Sequence, residues 1–293
     1  MADNRIYFGA EGNNVPRLKR FLSELQDGMT PTTLWKFQDV GHNQEGRQEL
    51  KKLFGDKGYF DGPKPVRLLE RILQIANLSE DSIVLDFFSG SASTAHAVLR
   101  NNCAKKYNCK FIMVQLSEKL DEKSEAFKDG YKTICDIGKE RIRLAGEKLI
   151  EDCEEKRIDI GFRVLKLDSS NMKDVYYNPS QVGQQSLFDM TDNIKEDRTP
   201  EDLLFQVMLD LGVLLSSKIE EKNIAGKKVF NVADGFLIAC FDNDVTEETV
   251  KAVAQEKPYY AVFRDSSMAN DSVATNFEQI FATYSPETVR KVL

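Results

Sequence analysis

Nothing in the 293-residue chain approaches the roughly 18 consecutive apolar residues that a membrane-spanning helix requires. Residues 1–20 mix charges with glycines and form no apolar signal core. These absences exclude a membrane partner and point to the cytoplasm. Metal ligands are equally scarce. The two histidines, His42 and His96, stand far apart, and Cys103, Cys109, Cys135, Cys153 and Cys240 include no C-x-x-C pair. Neither a zinc site nor a disulfide framework is expected, and each cysteine reads as a reduced thiol. Positive charge is not in excess, with 40 Lys and Arg against 47 Asp and Glu and a net charge of −7. Wrapping nucleic acid over the whole surface would need concentrated cations to neutralise phosphates, so any such contact must come from local patches. The candidates are Arg17, Lys19 and Arg20, and Lys139, Arg141, Arg143 and Lys148 on a predicted helix. Solvated helix faces explain both groups as readily. The G-x-G-x-x-G fingerprint of nicotinamide-binding folds is missing too.

What is present is an alternation of short apolar runs and helical patterns. Residues 1–44 are rich in glycine, asparagine and proline and read as an irregular lead-in. Helical spacing follows over 45–54 and again over 65–76, where Leu68, Leu69, Ile72, Leu73 and Ala76 share a face and Pro65 suits a first turn. Residues 82–88 are apolar without alternation, the pattern of a strand buried on both faces of a parallel sheet. A helix over 93–101, a strand over 110–116 and a polar helix opening near Glu118 continue the order strand, helix, strand, helix, which implies a doubly wound α/β unit. A charged helix over 136–155 should turn Ile137, Ile142, Ala145, Leu149 and Ile150 inward, and 162–167 reads as a further strand. Residues 168–199 lose periodicity and read as a linker. From Pro200 a helix, a hairpin around Ala233-Asp234-Gly235, a helix over 246–255, a strand over 259–263 and a helix over 276–281 describe a second, smaller α/β domain over 200–293.

The segment richest in chemistry is Ile83-Val84-Leu85-Asp86-Phe87-Phe88-Ser89-Gly90-Ser91-Ala92. A strand ending in an acid and passing through small residues into a helix lets a ligand approach the backbone at the carboxyl edge of the sheet. Helix-terminal amides there can take a carboxylate, while Asp86 offers a negative charge to a cationic group. Such a turn alone is common among nucleotide-binding folds. Phe87 and Phe88 are adjacent on the strand and should point to opposite faces, leaving one in the core.

The continuation Asp86-Phe87-Phe88-Ser89-Gly90-Ser91-Ala92-Ser93-Thr94-Ala95-His96-Ala97-Val98 resembles motif I of amino-methylating DNA methyltransferases, specifically the type III restriction-modification (Mod) subunits. Upstream, Phe60-Asp61-Gly62-Pro63-Lys64-Pro65-Val66-Arg67-Leu68-Leu69 is similar to that family's motif X. Motif X just before motif I is the permuted order of the β class, far more specific than either motif alone. Further likenesses run through Asn13-Asn14-Val15-Pro16, Gly41-His42-Asn43-Gln44-Glu45, Met113-Val114-Gln115-Leu116, Glu140-Arg141-Ile142-Arg143 and Val262-Phe263-Arg264-Asp265-Ser266-Ser267.

The resemblance implies an adenine N6 DNA methyltransferase that uses S-adenosylmethionine, with a partial Rossmann-like sheet of about three strands over 45–167. Residues 1–44 would then be the end of a target-recognition region. Asp86, Phe87, Phe88, Gly90 and Ser91 would line the cofactor pocket, and Lys64, beside Pro65, would pair with the cofactor carboxylate. Gln115 would meet the ribose hydroxyls, with Glu118 as the alternative unless that acid merely opens a helix. DNA and the restriction (Res) subunit would be partners of the complete enzyme, and no residue is assigned a metal. The family's Asp-Pro-Pro-Tyr tetrapeptide is absent, and the nearest string, Tyr177-Asn178-Pro179-Ser180, lacks the second proline and the aromatic. In the permuted order that tetrapeptide precedes motif X. The chain is therefore expected to be a carboxyl-terminal portion that binds cofactor without transferring the methyl group by itself, and to self-associate as a homodimer across an uncovered sheet edge. An assembly module without cofactor binding is the alternative.

Overall fold

A computed structural model describes residues 5–24, 30–153, 158–173 and 193–293. It divides into two compact units, Met1–Val164 and Leu165–Leu293. Tyr177-Asn178-Pro179-Ser180 lies outside the described residues.

In the first unit, β1 (Ile6–Tyr7) and β2 (Arg17–Leu18) form a short antiparallel ladder. Then come α1 (Phe37–Val40), α2 (Asn43–Leu53) and α3 (Val66–Ile75). β3 (Ile83–Asp86), α4 (Ser93–Lys105) and β4 (Lys110–Met113) make a strand–helix–strand unit whose strands pair in parallel, Ile83 opposite Lys110 and Asp86 opposite Met113. A short α5 (Glu125–Lys128) leads to α6 (Ile134–Asp152). The expected βαβ order is therefore present, and the chain is mixed α/β.

Packing departs from expectation on one face of this sheet. Val84 and Phe111 pack with Val66, Leu73 and Val98, and Met113 joins Leu99, Ile142 and Leu149. The alternate residues Ile83, Leu85, Ile112 and Val114 are 62%, 57%, 50% and 48% exposed. The strand expected to be buried on both faces is covered on one, because all the helices packed against it here meet the same side. The strand expected over 162–167 does not form, so the sheet has two strands among the described residues rather than three.

Smaller corrections have local causes. Glu118 opens no helix: the chain there bridges Lys119 to Thr133, and Thr133 with Asp136 caps α6 instead. Ile72 and Ile150 point outward at 42% and 36% exposure, since Val66 and Leu73 fill the inner face of α3 and Ile142, Ala145 and Leu149 that of α6. Arg141 is fully buried and leaves the basic patch to which the sequence assigns it. Cys103 on α4 and Cys153 at the end of α6 are joined by a disulfide with Cα atoms 6.2 Å apart, because the two helices pack side by side. A separation of 50 residues leaves no local signal of that pairing.

The second unit is built on the sheet β5 (Ile219–Ile224), β6 (Lys227–Val232), β7 (Leu237–Cys240), β8 (Tyr260–Phe263) and β9 (Val289–Val292), in that spatial order. The first three are antiparallel and the last three parallel. The β6–β7 hairpin turns through Ala233, Asp234 and Gly235, all with positive φ. Between flank α7 (Pro200–Asp210), α8 (Glu247–Gln255) and α9 (Asp271–Tyr284) both faces are covered: Phe230, Ala239 and Val262 meet α7, whereas Val229, Ile238, Cys240 and Phe263 meet α8 and α9. Within the expected linker span, Met172 bridges to Ile194, whose side chain is buried against this core.

Candidate functional site

At the carboxyl end of β3 the backbone leaves the sheet at Asp86 and enters α4 at Ser93. The bend needs left-handed conformations at Gly90 (φ 52°) and Ala92 (φ 57°). Ala92 can adopt one at a cost of about 1 kcal/mol, which glycine avoids. Ala92 is the N-cap of α4 but has no side-chain oxygen, so it caps none of the first-turn amides and the positive end of the helix faces the turn. Asp86 is held from two sides, its Oδ1 accepting from the Phe88 amide at 3.2 Å and its Oδ2 from the Thr94 hydroxyl at 2.5 Å. Phe87 and Phe88, one of them expected in the core, are both largely exposed, 62% and 79%, with ring centroids 5.2 Å apart.

Gln115 lies just past β4. Its carbonyl accepts from the Gly90 amide at 2.8 Å and its amino group donates to the Leu116 carbonyl at 3.3 Å, so it ties the two strand ends together. Ser91 is buried, and its hydroxyl accepts from Arg141 Nη1 at 2.9 Å.

The Lys64–Pro65 step packs in the same unit. Pro65 is buried and is the N-cap of α3, whereas Lys64 is exposed and has no ion pair among the described residues. Gly46 of α2 allows the step to approach closely: a Cβ there would stand 2.8 Å from both Lys64 C and Pro65 N. Gly41, at φ 84°, would likewise put a Cβ 2.9 Å from Pro65 Cβ. Glu49, one turn beyond Gly46, accepts from the Val66 amide at 2.8 Å, and Arg67 forms an ion pair with Glu45 at 2.6 Å. Phe60 links the step to the turn, because a Cβ on Gly90 would lie 3.3 Å from Phe60 Cζ.

Sequence reasoning passed over Glu49, quoted Phe60 only as the start of the motif X likeness, and gave Arg141 a place in a basic surface patch. Arg141 is hidden among the charged residues of α6, and nothing in its spacing separates it from half-buried Lys139 and exposed Arg143, which pair with Asp136 and Glu140. Burial lowers the Arg141 pKa to about 10, and Glu49 partly restores it. Burial raises Glu49, against the Val66 amide and the Arg141 charge. His96 on α4 is pushed down to about 3 by burial, with the Arg141 charge adding to it, so it is neutral packing. A separate hollow of about 490 Å³ is lined by Asn43, Gln44, Arg47, Gln48, Lys51 and Gly62 and by none of the turn residues. Among the described residues no group of three or more His, Cys, Asp or Glu could hold a metal, and no helix is long and apolar enough to cross a membrane.

The donor set suits an S-adenosylmethionine molecule. Asp86 and the bare amides of a helix start can face its amino and carboxylate groups, exposed aromatic rings can face its apolar and cationic parts, and Lys64 is an uncommitted cation.

Comparison with known proteins agrees with the motifs. Residues 9–145 match the family model described as DNA methylase. The Mod subunit of the type III restriction-modification enzyme StyLTI of Salmonella typhimurium is 36% identical over 56% of this chain and 24% of its own length. The EcoP15I Mod subunit of Escherichia coli is 32% identical over 95% of this chain and 40% of its own. The type II methyltransferase M.KpnI of Klebsiella pneumoniae is 28% identical over 52% of this chain and 35% of its own. The chain thus spans less than half the length of these relatives. Motif and family match coincide on the strand–turn–helix at Asp86, and the chain is similar to DNA methylases over residues 9–145 and to a type III Mod subunit along nearly its whole sequence.

Proposed function

We propose that this chain binds S-adenosylmethionine as the cofactor-holding portion of a type III DNA adenine N6-methyltransferase. The observation that carries the reading is the contact between its two signature segments: Phe60, which opens the Lys64–Pro65 segment, stands against Gly90 in the turn after Asp86. Asp86, Phe87, Phe88, Gly90 and Ser91 hold the cofactor from the sheet side, and Lys64 meets its carboxylate beside Pro65. Gln115 supports the turn through Gly90 and takes the place assigned to a ribose contact. The bound cofactor supplies an activated methyl group, and this chain's residues orient it.

Transfer to adenine needs a pocket for a flipped base. The tetrapeptide that would build it is missing from the sequence, so the portion by itself is read as inactive, with DNA and the Res subunit as partners of the whole assembly and the cytoplasm as its place. Residues 45–167 are the cofactor-binding subdomain in this reading, following the lead-in over 1–44, with 168–199 as linker and 200–293 as a carboxyl-terminal α/β domain. Titration calorimetry tests it. Saturable one-to-one binding of S-adenosylmethionine is expected, weakened at least tenfold by Asp86→Ala. No heat at millimolar ligand would reject the reading.

A second role, assembly, is favoured by one observation: Ile83 and Leu85 of β3 share the bare face of the two-stranded sheet with Ile112 of β4 and Val114 just past it, all 48–62% exposed. An apolar patch of this kind marks an association surface. The occupant we assign to it is a second copy of the chain.

A further inference from the structure

We propose that Arg141 is a positioning residue for the turn after Asp86: it holds the Ser91 and Ser93 hydroxyls from the buried side and so keeps the first amides of α4 open to the cofactor. The inference rests on the cofactor reading of that turn and adds to it a residue that does not itself reach the ligand.

The contact is direct. Arg141 on α6 donates from one nitrogen, Nη1, to the hydroxyls of both Ser91 and Ser93. Those oxygens stand 3.5 Å apart on either side of Ala92, whose φ of 57° turns the chain from the strand into α4. All three residues are buried, Arg141 at 0%, Ser91 at 2% and Ser93 at 6% exposure. One turn before Arg141, Gly138 lets α6 come under the bend, where a Cβ would lie 3.4 Å from the Gly90 carbonyl oxygen and 3.6 Å from Ala92 Cβ. Residues three apart share a helix face, so a single patch of α6 supports the bend from below.

Two features separate this contact from ordinary core packing. Serine is among the strongest helix-capping residues, because its oxygen can accept from a first-turn amide. Yet no side chain caps α4, whose N-cap is Ala92. The two hydroxyls beside its start accept from Arg141 instead, which leaves those amides for an anionic group. The second feature is stability. Arg141 Nε and Nη2 have no hydrogen-bond partner among the described residues. A buried guanidinium left partly unsatisfied destabilises a core relative to an apolar side chain of similar size. Packing does not need it, since Ala92, Ala95 and Leu99 already meet Ile142 and Leu149 between α4 and α6. What the guanidinium adds is the grip on the turn.

The test compares cofactor affinity with stability in the 293-residue chain. Arg141→Met removes the donor and fills a similar volume. Its urea midpoint should equal or exceed that of the unaltered chain, while the dissociation constant for S-adenosylmethionine rises about tenfold, the scale of one hydrogen bond to a charged group. Hydrogen exchange at the Gly90 and Ala92 amides, bonded to Gln115 and Ser89, should quicken by a similar factor while the α6 amides keep their rates. Ser93→Ala should weaken binding several-fold in the unaltered chain and bring no further loss in the Arg141→Met background. Unchanged affinity and exchange in Arg141→Met, or an undiminished effect of Ser93→Ala in that background, overturns the proposal. A midpoint that falls, with exchange quickened throughout the unit, marks a purely structural arginine and overturns it as well. An unaltered chain that binds no S-adenosylmethionine rejects the proposed function instead, and the exchange rates at Gly90 and Ala92 still decide the role of Arg141.

Discussion

Two helical glycines should respond in opposite directions to the same substitution. Replacing glycine by alanine inside a helix gains about 1 kcal/mol of helix propensity when the new methyl meets nothing it must displace. At Gly138 that condition holds, because the methyl would stand 3.4 Å from the Gly90 oxygen, 3.6 Å from Ala92 Cβ and 3.9 Å from Ala92 N, all ordinary contacts. Gly138→Ala is expected to stabilise the first unit by about 0.5–1 kcal/mol. At Gly46 the methyl would fall within contact distance of the Pro63 carbonyl oxygen and 2.8 Å from Lys64 C and Pro65 N. These are backbone atoms of a proline-flanked segment and cannot rotate aside as a side chain could. Because backbone must move, relieving the overlap costs about 3 kcal/mol, the upper end of overpacking penalties, and against a propensity gain of about 1 kcal/mol Gly46→Ala should destabilise by about 2 kcal/mol. With an m-value of about 2 kcal/mol/M, the urea midpoint of the transition should fall by about 1 M. Gly46→Ala should also weaken cofactor binding, because the Lys64–Pro65 step moves with it. Equal midpoints for the two variants, or a stabilised Gly46→Ala, would refute the close packing of α2 on this step.

Acid should weaken the first unit through His96. Its folded pKa of about 3 lies below the 6.5 of a free imidazole, so the unfolded chain binds a proton that the folded chain refuses. Stability is complete above pH 6.5 and falls as pH drops from there toward 3, by about 2 kcal/mol at pH 5. Urea midpoints at pH 7.5 and 5.0 should differ much less in His96→Asn than in the unaltered chain, and equal differences would contradict a neutral, desolvated His96. Leu85→Glu places a charge on the bare sheet face, where Leu85 is 57% exposed. Sedimentation velocity should show the unaltered chain self-associating and the variant monomeric. A monomeric unaltered chain would reject the second copy as occupant.

Local signals made much of this molecule legible. The strand ending at Asp86, the small-residue bend and the following helix were readable because their chemistry is contiguous in sequence. The hairpin through Ala233-Asp234-Gly235 and the helix beginning at Pro200 carry turn and cap residues that state their own conformation. What escaped depends on partners distant in the chain. An apolar run such as Ile83-Val84-Leu85 gives the same pattern whether one face is covered or two, so the exposure of Leu85 could not be read from it. β5 is rich in Glu and Lys, Ile219-Glu220-Glu221-Lys222-Asn223-Ile224, and is a strand because β6 pairs with it. Arg141 looked like one surface cation among four, and only the approach of α4 to α6 buries it beneath Ser91 and Ser93. The Cys103–Cys153 bond arises from the same approach.

The most direct measurement is a crystal structure of the chain grown with S-adenosylhomocysteine. The account predicts the ligand against the bend from Asp86 to Ser91, its carboxylate facing Lys64 and its rings beside Phe87 or Phe88. A ligand bound in another part of the molecule, with the bend and Lys64 both left untouched, would contradict it.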